Sequence, residues 1–232
     1  MRLQTTFTPA DFKALAQTDL SETTCVVFDI LRATSSMVTA LANGAEHIRP
    51  VATIDEALAA KAEYPQALLC GERHGQRITA EQAKGTDFDL GNSPREYTAE
   101  IVTGKTLITT TTNGTRALRA SLGAREVLVS SFLNLQATID HLREASLKRL
   151  ALVCGGTFEE AAFEDTLAAG AIADAVWDLF TDDSIEDSAQ IVRALWLAHG
   201  ASLNASIQHA LNARRLLAVP ELAADVGFCL QR

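Results

Sequence analysis

Val26-Val27-Phe28-Asp29-Ile30-Leu31-Arg32-Ala33-Thr34-Ser35-Ser36 is the stretch from which the fold reads outward. An apolar run rich in β-branched residues ends in Asp29. An arginine, a small residue and three hydroxyls follow, and an apolar pattern at helical spacing then begins. That is a buried strand running into a loop that opens onto a helix N-terminus. The unpaired N–H groups and partial positive charge at such an end suit an anion. Asp29, at the strand's C-terminal edge, is in the same place a candidate ligand for a hard cation such as Mg²⁺.

On either side of this turn, strand-like and helical patterns alternate. Val26–Phe28 leads to a helix over about Ser36–Ala42, closed by Asn43-Gly44. His47–Val51 reads as a strand, Ile54–Glu63 as a helix before Pro65, and Leu68–Cys70 as a short strand. Thr106–Ile108 runs through a threonine cluster into a helix over Thr115–Leu122, stopped by Gly123. Glu126–Val129 is a strand, Leu135–Glu144 a helix, and Leu150–Val153 a strand that stops at Gly155-Gly156. From Glu164 the pattern is helical, with long amphipathic stretches through Leu179 and over Ser188–Leu197. Such alternation predicts an α/β class: a layered α/β/α unit with a largely parallel or mixed sheet and a helical C-terminal third. Residues 1–232 are expected to form one unit, and any division into two subdomains falls near 98–106.

The turn after Asp29 has a weak echo. Asp29-Ile-Leu-Arg-Ala-Thr-Ser-Ser and Thr109-Thr-Thr-Thr-Asn-Gly-Thr-Arg both lead through a helix to a Gly-Ala stop and another strand. Duplication and a shared βαβ grammar explain this equally well. In a parallel sheet both turns belong on the carboxyl edge, where ligands bind. Gly71–Tyr97 has no clean periodicity and reads as too poor in apolar residues for core, so a functional loop is expected there.

Size and composition narrow the class. A chain of 232 residues with 47% hydrophobic and 21% charged content can bury a substantial core. No apolar run approaches the roughly 20 residues of a membrane span, and the N-terminal stretch lacks the apolar segment of a secretory signal. Cys25, Cys70, Cys154 and Cys229 show no paired spacing and read as reduced core residues of a cytoplasmic protein. A net charge of −9 argues against nucleic acid or an anionic membrane as partner. It leaves room for a small anionic substrate, because Arg32, Arg73, Arg95 and Arg116 lie beside turn-forming residues.

Each candidate site has a plainer alternative. Thr109–Arg116 can be an anion-binding turn, with Asn113-Gly114 permitting close backbone approach, Thr115 as N-cap and Arg116 reaching an oxyanion. It can equally be a capped helix after a buried strand. Gly71-Glu72-Arg73-His74-Gly75 places a carboxylate and a guanidinium at a strand end, or is a surface ion pair in a tight turn with His74 exposed. Glu164-Asp165 opens a helix, where acids complement the dipole; the same pair can supply hard oxygen ligands to Mg²⁺. The acids between Asp182 and Asp187 read as a solvated linker. Walker, G-x-G-x-x-G, H-E-x-x-H and G-x-S-x-G motifs are absent, and no second aspartate follows Asp29 two positions on.

Asp29-Ile-Leu-Arg-Ala-Thr-Ser, Gly71-Glu-Arg, Phe88-Asp-Leu-Gly-Asn-Ser-Pro, Thr111-Thr-Asn-Gly-Thr-Arg-Ala and Phe163-Glu-Asp occur here in that order. Together they resemble the 2-phosphosulfolactate phosphatase (ComB-like) family, over about Cys25 to Gly170. The resemblance implies a Mg²⁺-dependent phosphatase that hydrolyses 2-phospho-3-sulfolactate to 3-sulfolactate and phosphate, a step of coenzyme M biosynthesis in methanogens. It implies catalytic roles for Asp29, Arg32 and Arg116, and Mg²⁺ ligation by Asp29, Glu164 and Asp165. Substrate contacts would come from Thr34, Ser35, Glu72, Arg73, Asn92, Ser93, Asn113, Gly114 and Thr115. Gly155-Gly156-Thr157-Phe158-Glu159-Glu160 departs from the family pattern, which has a small-residue turn with a Gly-Arg or similar pair there. Direct attack by water and transient phosphorylation of a carboxylate both remain open. So do a phosphatase of the same fold acting on another phosphorylated hydroxy acid and a non-catalytic anion-binding regulator. The apolar faces of the C-terminal helices are expected to pack on the sheet or to form a homodimer.

Overall fold

Thr23–Phe28 is buried along its whole length, as a strand covered on both faces must be. The computed structural model describes residues 1–232. In chain order the elements are β1 (Arg2–Thr6), α1 (Phe12–Ala16), β2 (Thr23–Phe28), α2 (Ala33–Ala42), β3 (His47–Pro50), α3 (Ile54–Glu63), β4 (Leu68–Arg73) and β5 (Gln76–Arg77). They continue with α4 (Ala99–Val102), β6 (Thr106–Thr110), α5 (Gly114–Ala120), β7 (Glu126–Ser130), α6 (Leu135–Glu144) and β8 (Arg149–Cys154). The helical end comprises α7 (Phe163–Ala175), α8 (Asp187–His199), α9 (Leu203–Ile207), α10 (Leu211–Leu217) and α11 (Pro220–Cys229).

The α/β class and the helical C-terminal third are as expected, but the strands divide into two four-stranded sheets. The first, in the order β1-β8-β2-β7, is parallel throughout. The second, β3-β6-β4-β5, is mixed, because β5 turns back antiparallel to β4. The two hydroxyl-rich turns therefore end strands of different sheets, and a single shared sheet edge is ruled out.

Strand periodicity sorts the first sheet's core into two layers. Val26, Phe28, Leu150 and Leu152 face the main cluster, with α6 to α11 over them. Cys25, Val27, Ala151 and Val153 face a smaller cluster with Phe12, Leu15, Met37 and Leu118. Each large apolar side chain so buried contributes about 1.5–3 kcal/mol. The C-terminal helices pack here: Val192, Leu203, Ile207, Leu216 and Val226 join the main cluster. No helix is long and apolar enough to cross a membrane.

Four local readings need correction. Helix α2 starts at Ala33, three residues early, because the Asp29 carboxylate caps it. Helix α5 starts at Gly114 with Asn113, not Thr115, as its N-cap residue. Helix α7 is not amphipathic: Glu164 to Ala173 are all buried, the mark of a helix enclosed on every side. The Gly71–Tyr97 segment does contribute core, with Ile78, Ala83 and Phe88 in one cluster and Leu90 and Tyr97 in another. Sparse apolar residues there are set by tertiary packing and not by a local period. The edge strand β1 went unread because alternate positions along it are exposed or half-buried.

Candidate active site

Asp29 leaves β2 into a turn that closes on itself. Its N–H donates to Thr34 Oγ1 at 3.0 Å, and the Thr34 N–H donates back to the Asp29 carbonyl at 2.9 Å. The Ala33 N–H donates to Asp29 Oδ1 at 3.2 Å, and the Ser35 hydroxyl to the Ile30 carbonyl at 2.8 Å. Thr34 and Ser35 are fully buried. Their hydroxyls hold the turn, and neither residue lines the cavity described below. The Ala33 and Thr34 N–H groups at the start of α2 are thus engaged by the carboxyl and the backbone carbonyl of Asp29, so the helix start is already capped from within.

Two further turns clamp Asp29. A Cβ added at Gly114 would lie 2.9 Å from Asp29 Oδ2 and 2.7 Å from Ala33 Cβ. One added at Gly155 would lie 2.9 Å from the Phe28 carbonyl and 3.2 Å from Asp29 Cβ. Only glycine allows these backbones so close. Glu72, at the end of β4, accepts the Thr112 N–H and hydroxyl, both at 2.8 Å, and the Gly75 N–H at 2.7 Å. It thereby ties the β4 end to the β6 end. Thr115 is buried with its hydroxyl on the Thr111 carbonyl, 2.8 Å away. The Asn113 carbonyl oxygen Oδ1 is buried without a partner.

A cavity of about 390 Å³ opens on this junction. Asp29, Arg32, Glu72, His74, Asn92 and Asn113 line it from the two sheets, and Asn212, Arg215, Leu216 and Val219 from the C-terminal helices. A second cavity of about 520 Å³ adjoins it, sharing Thr157 and Asn212, and contains Glu164, His199 and His209. Glu164 accepts a hydrogen bond from Asn212 Nδ2 at 2.7 Å. Asp165 accepts the Ile30 N–H at 2.8 Å and the Gly156 N–H at 3.1 Å, one on each oxygen. It is 2% exposed and lines neither cavity, so it braces the turns after β2 and β8.

These carboxyls share a low-dielectric region. Burial pushes Asp29 up to about 7 against the opposing pull of the Ala33 N–H, and the Glu72 and Glu164 charges add to the rise. Burial raises Glu164. It raises Asp165 well above the carboxylate range, with Glu164 and Asp29 reinforcing it. No three carboxylate, imidazole or thiol groups stand at metal-ligand spacing.

The arginines are placed differently from expectation. Arg32 is buried at the cavity wall, where Nη1 donates to Asp225 Oδ2 at 2.8 Å and Nη2 to the Gly75 carbonyl at 2.7 Å. The Ser93 hydroxyl donates to the other Asp225 oxygen at 2.7 Å, which directs Ser93 away from the cavity. Arg73 donates to Thr110 Oγ1 at 3.1 Å and to the Glu72 carbonyl, staying with the β4–β6 junction. Arg116 is half-exposed and pairs with Glu159 at 3.1 Å, outside the cavity lining.

A family model described as 2-phosphosulpholactate phosphatase matches residues 10–232. The chain belongs to that family. It is similar to a probable 2-phosphosulfolactate phosphatase of Thermotoga petrophila, 41% identical over 206 residues, which cover 89% of this chain and 83% of the relative. A Caldanaerobacter subterraneus protein of the same description is 38% identical over 223 residues, covering 94% and 88%. One from Prochlorococcus marinus is 36% identical over 210 residues, covering 89% and 84%.

For this 2-phosphosulpholactate phosphatase family member, the sequence reading overlooked Asn212, Arg215 and Asp225 on the last two helices, and set His74 aside. Asp225 did leave a signal, as a lone acid inside the apolar run from Leu222 to Cys229. A charge on a core-facing helix position needs a partner. Asn212 and Arg215 carried no comparable signal, because polar residues in a surface helix are ordinary.

Proposed function

We propose that this protein hydrolyses 2-phospho-3-sulfolactate to 3-sulfolactate and phosphate in a Mg²⁺-dependent reaction, in the cavity at the junction of the two sheets. The observation that carries this reading is Asp29 itself. Its buried carboxyl is clamped between glycines of two other turns, and the partnerless Asn113 Oδ1 belongs to the Asn113–Gly114 turn that supplies one of the clamps.

The donor set suits Mg²⁺, a hard ion that takes oxygen and is commonly held by one or two carboxylates together with substrate phosphate oxygens. Asp29 and the Asn113 side-chain oxygen Oδ1 would hold it, with Glu72 and Glu164 as flanking negative charge. Asp165 is better read as a positioning residue, since both its oxygens are engaged by backbone N–H groups. When bound, the ion supplies charge neutralisation at the phosphoryl oxygens.

The protein's own residues provide position and electrostatics, the main content of phosphoryl-transfer catalysis. The mutual hydrogen bonds of Asp29 and Thr34 fix the first turn, and Glu72 fixes the second through Thr112. Arg32, held on Asp225 and on the Gly75 carbonyl, fixes the cavity wall beside the first turn. Membership of the family supports the substrate, and the four free, buried cysteines support a cytoplasmic location. Another phosphorylated hydroxy acid is the second reading, favoured by the Gly155–Glu160 turn, which places Phe158 in the cavity lining.

A phosphate-release assay on phosphosulfolactate and a panel of phospho-hydroxy acids, with Mg²⁺ and with EDTA, tests both parts. Release in Mg²⁺ and its loss in EDTA is the expected result. No release from any compound overturns the enzyme reading, and full activity in EDTA overturns the metal.

A further inference from the structure

The proposed substrate has acidic groups besides its phosphate, yet the cavity around Asp29 and Glu72 is lined by carboxylates. The arginines expected to balance them are engaged elsewhere: Arg32 by Asp225, Arg73 by Thr110 and Arg116 by Glu159. One guanidinium lining the cavity has neither an ion pair nor a hydrogen bond. It is Arg215.

We propose that Arg215 binds the oxyanion group of the substrate remote from the phosphate, and so selects phosphate monoesters that carry a second anionic group over those whose only anionic group is the phosphate. The inference rests on the phosphatase reading and names the residue that sets its substrate class.

Helix α10 aims Arg215 at the site. Asn212, three residues earlier and on the same helical face, is tied to Thr157 and to Glu164. With Asn212 anchored there, Arg215 falls on the cavity side. Its guanidinium lies 5.1 Å from the centre of the Phe158 ring. An aromatic face steadies a cation without neutralising it, unlike a carboxylate. Phe158 is held at φ 56°, in the left-handed region that bulky residues rarely adopt, and is 49% exposed. Strain of this kind persists only where surrounding contacts fix the residue, and the Arg215 guanidinium is one such contact on the ring. Leu216, Val219 and Leu222 make the adjoining wall apolar, which strengthens an ion pair formed there. The planar fork of arginine matches a carboxylate or sulfonate through two parallel hydrogen bonds. The Gly155–Glu160 turn thus supplies the ring that holds the selecting residue.

The test compares wild type, Arg215→Ala and Arg215→Lys on 2-phospho-3-sulfolactate, 2-phospholactate and p-nitrophenyl phosphate. The kcat/KM ratio of phosphosulfolactate to p-nitrophenyl phosphate should collapse about 10- to 100-fold in Arg215→Ala, mostly through KM, as expected for loss of a charged hydrogen-bonding partner. Arg215→Lys should recover part of it. A parallel loss on 2-phospholactate assigns the contact to the carboxylate, and loss confined to phosphosulfolactate assigns it to the sulfonate. An unchanged ratio overturns the proposal. Calorimetric titration with 3-sulfolactate provides an arm that needs no turnover. Wild type should bind it more tightly than Arg215→Ala by a similar factor, while equal binding, or none by wild type, overturns the role of Arg215. Failure of wild type to hydrolyse any of the three esters counts against the phosphatase reading alone.

Discussion

The turn after β2 and the turn after β6 are written in similar residues and treat their polar atoms in opposite ways. In the first, Thr34, Ser35 and the backbone of Asp29 satisfy one another, and Arg32 is answered by Asp225. In the second, Glu72 satisfies Thr112 from outside the turn, and the Asn113 side-chain oxygen Oδ1 is left without a partner. A self-satisfied turn is rigid and fixes one carboxylate, whereas a turn with an unpaired buried acceptor has capacity left for a ligand. Similar grammar therefore yields one turn that positions and one that receives, and the Gly114 contact presses them together.

Removing the charge that the first turn exists to hold is the harshest way to break this pairing. Asp29→Asn should lower kcat/KM about 1,000-fold, about 4 kcal/mol of transition-state stabilisation, measured in the Mg²⁺ phosphate-release assay. The same variant should behave oppositely in stability. The metal-free Asp29 sits near 7 against an ordinary 3.8, so the native state holds a proton that the unfolded chain has lost. That contribution is fully present below about pH 4 and is lost as pH rises through about 7. Asp29→Asn should therefore melt above wild type at pH 8 in EDTA, and the advantage should shrink at pH 5. A melting temperature below wild type at both values would show that Asp29 is not under electrostatic strain.

Separating the turns is the next test. In Gly114→Ala the new methyl group meets Asp29 and Ala33. Overpacking of this kind costs about 2 kcal/mol, readable by urea unfolding, and activity should fall with it because Asp29 moves. Unchanged unfolding would mean that the two turns are not in close contact in solution. The smallest effect belongs to Arg116→Ala. Its partner Glu159 is exposed, and such pairs are worth under about 1 kcal/mol. Turnover should stay within about threefold of wild type, and a loss comparable to Asp29→Asn would restore Arg116 to the catalytic role that its sequence position suggested.

The strand–turn–helix units were legible because their signals are local. Val26 to Phe28 and Leu150 to Val153 are unbroken apolar runs, and Asn43-Gly44 and Gly123 stop their helices. The division into two sheets was not legible, since both sheets are built from the same kind of unit and pairing is decided by long-range packing. Asp29, Glu72 and Asn113, which line one cavity, were legible as candidates because each lies at or just beyond a strand end. Thr34, Ser35, Ser93 and Thr115 were named with them, although hydrogen bonding turns their hydroxyls inward, a choice sequence does not record. Asn212 and Arg215 were missed because their meaning depends on where α10 docks, which no local pattern encodes.

The bond between Arg32 and Asp225 joins residues 193 positions apart. Closing so long a loop costs only a little more entropy than closing a shorter one, because that cost grows with the logarithm of length. Its effect is on timing. As the chain is synthesised from its N-terminus, the opening turn carries a guanidinium with no counter-charge until the final helix has emerged and docked. A buried charge without its partner is strongly destabilising. A chain cut short before Asp225 should therefore unfold at lower urea than the full chain, because Arg32 keeps only the Gly75 carbonyl as a partner.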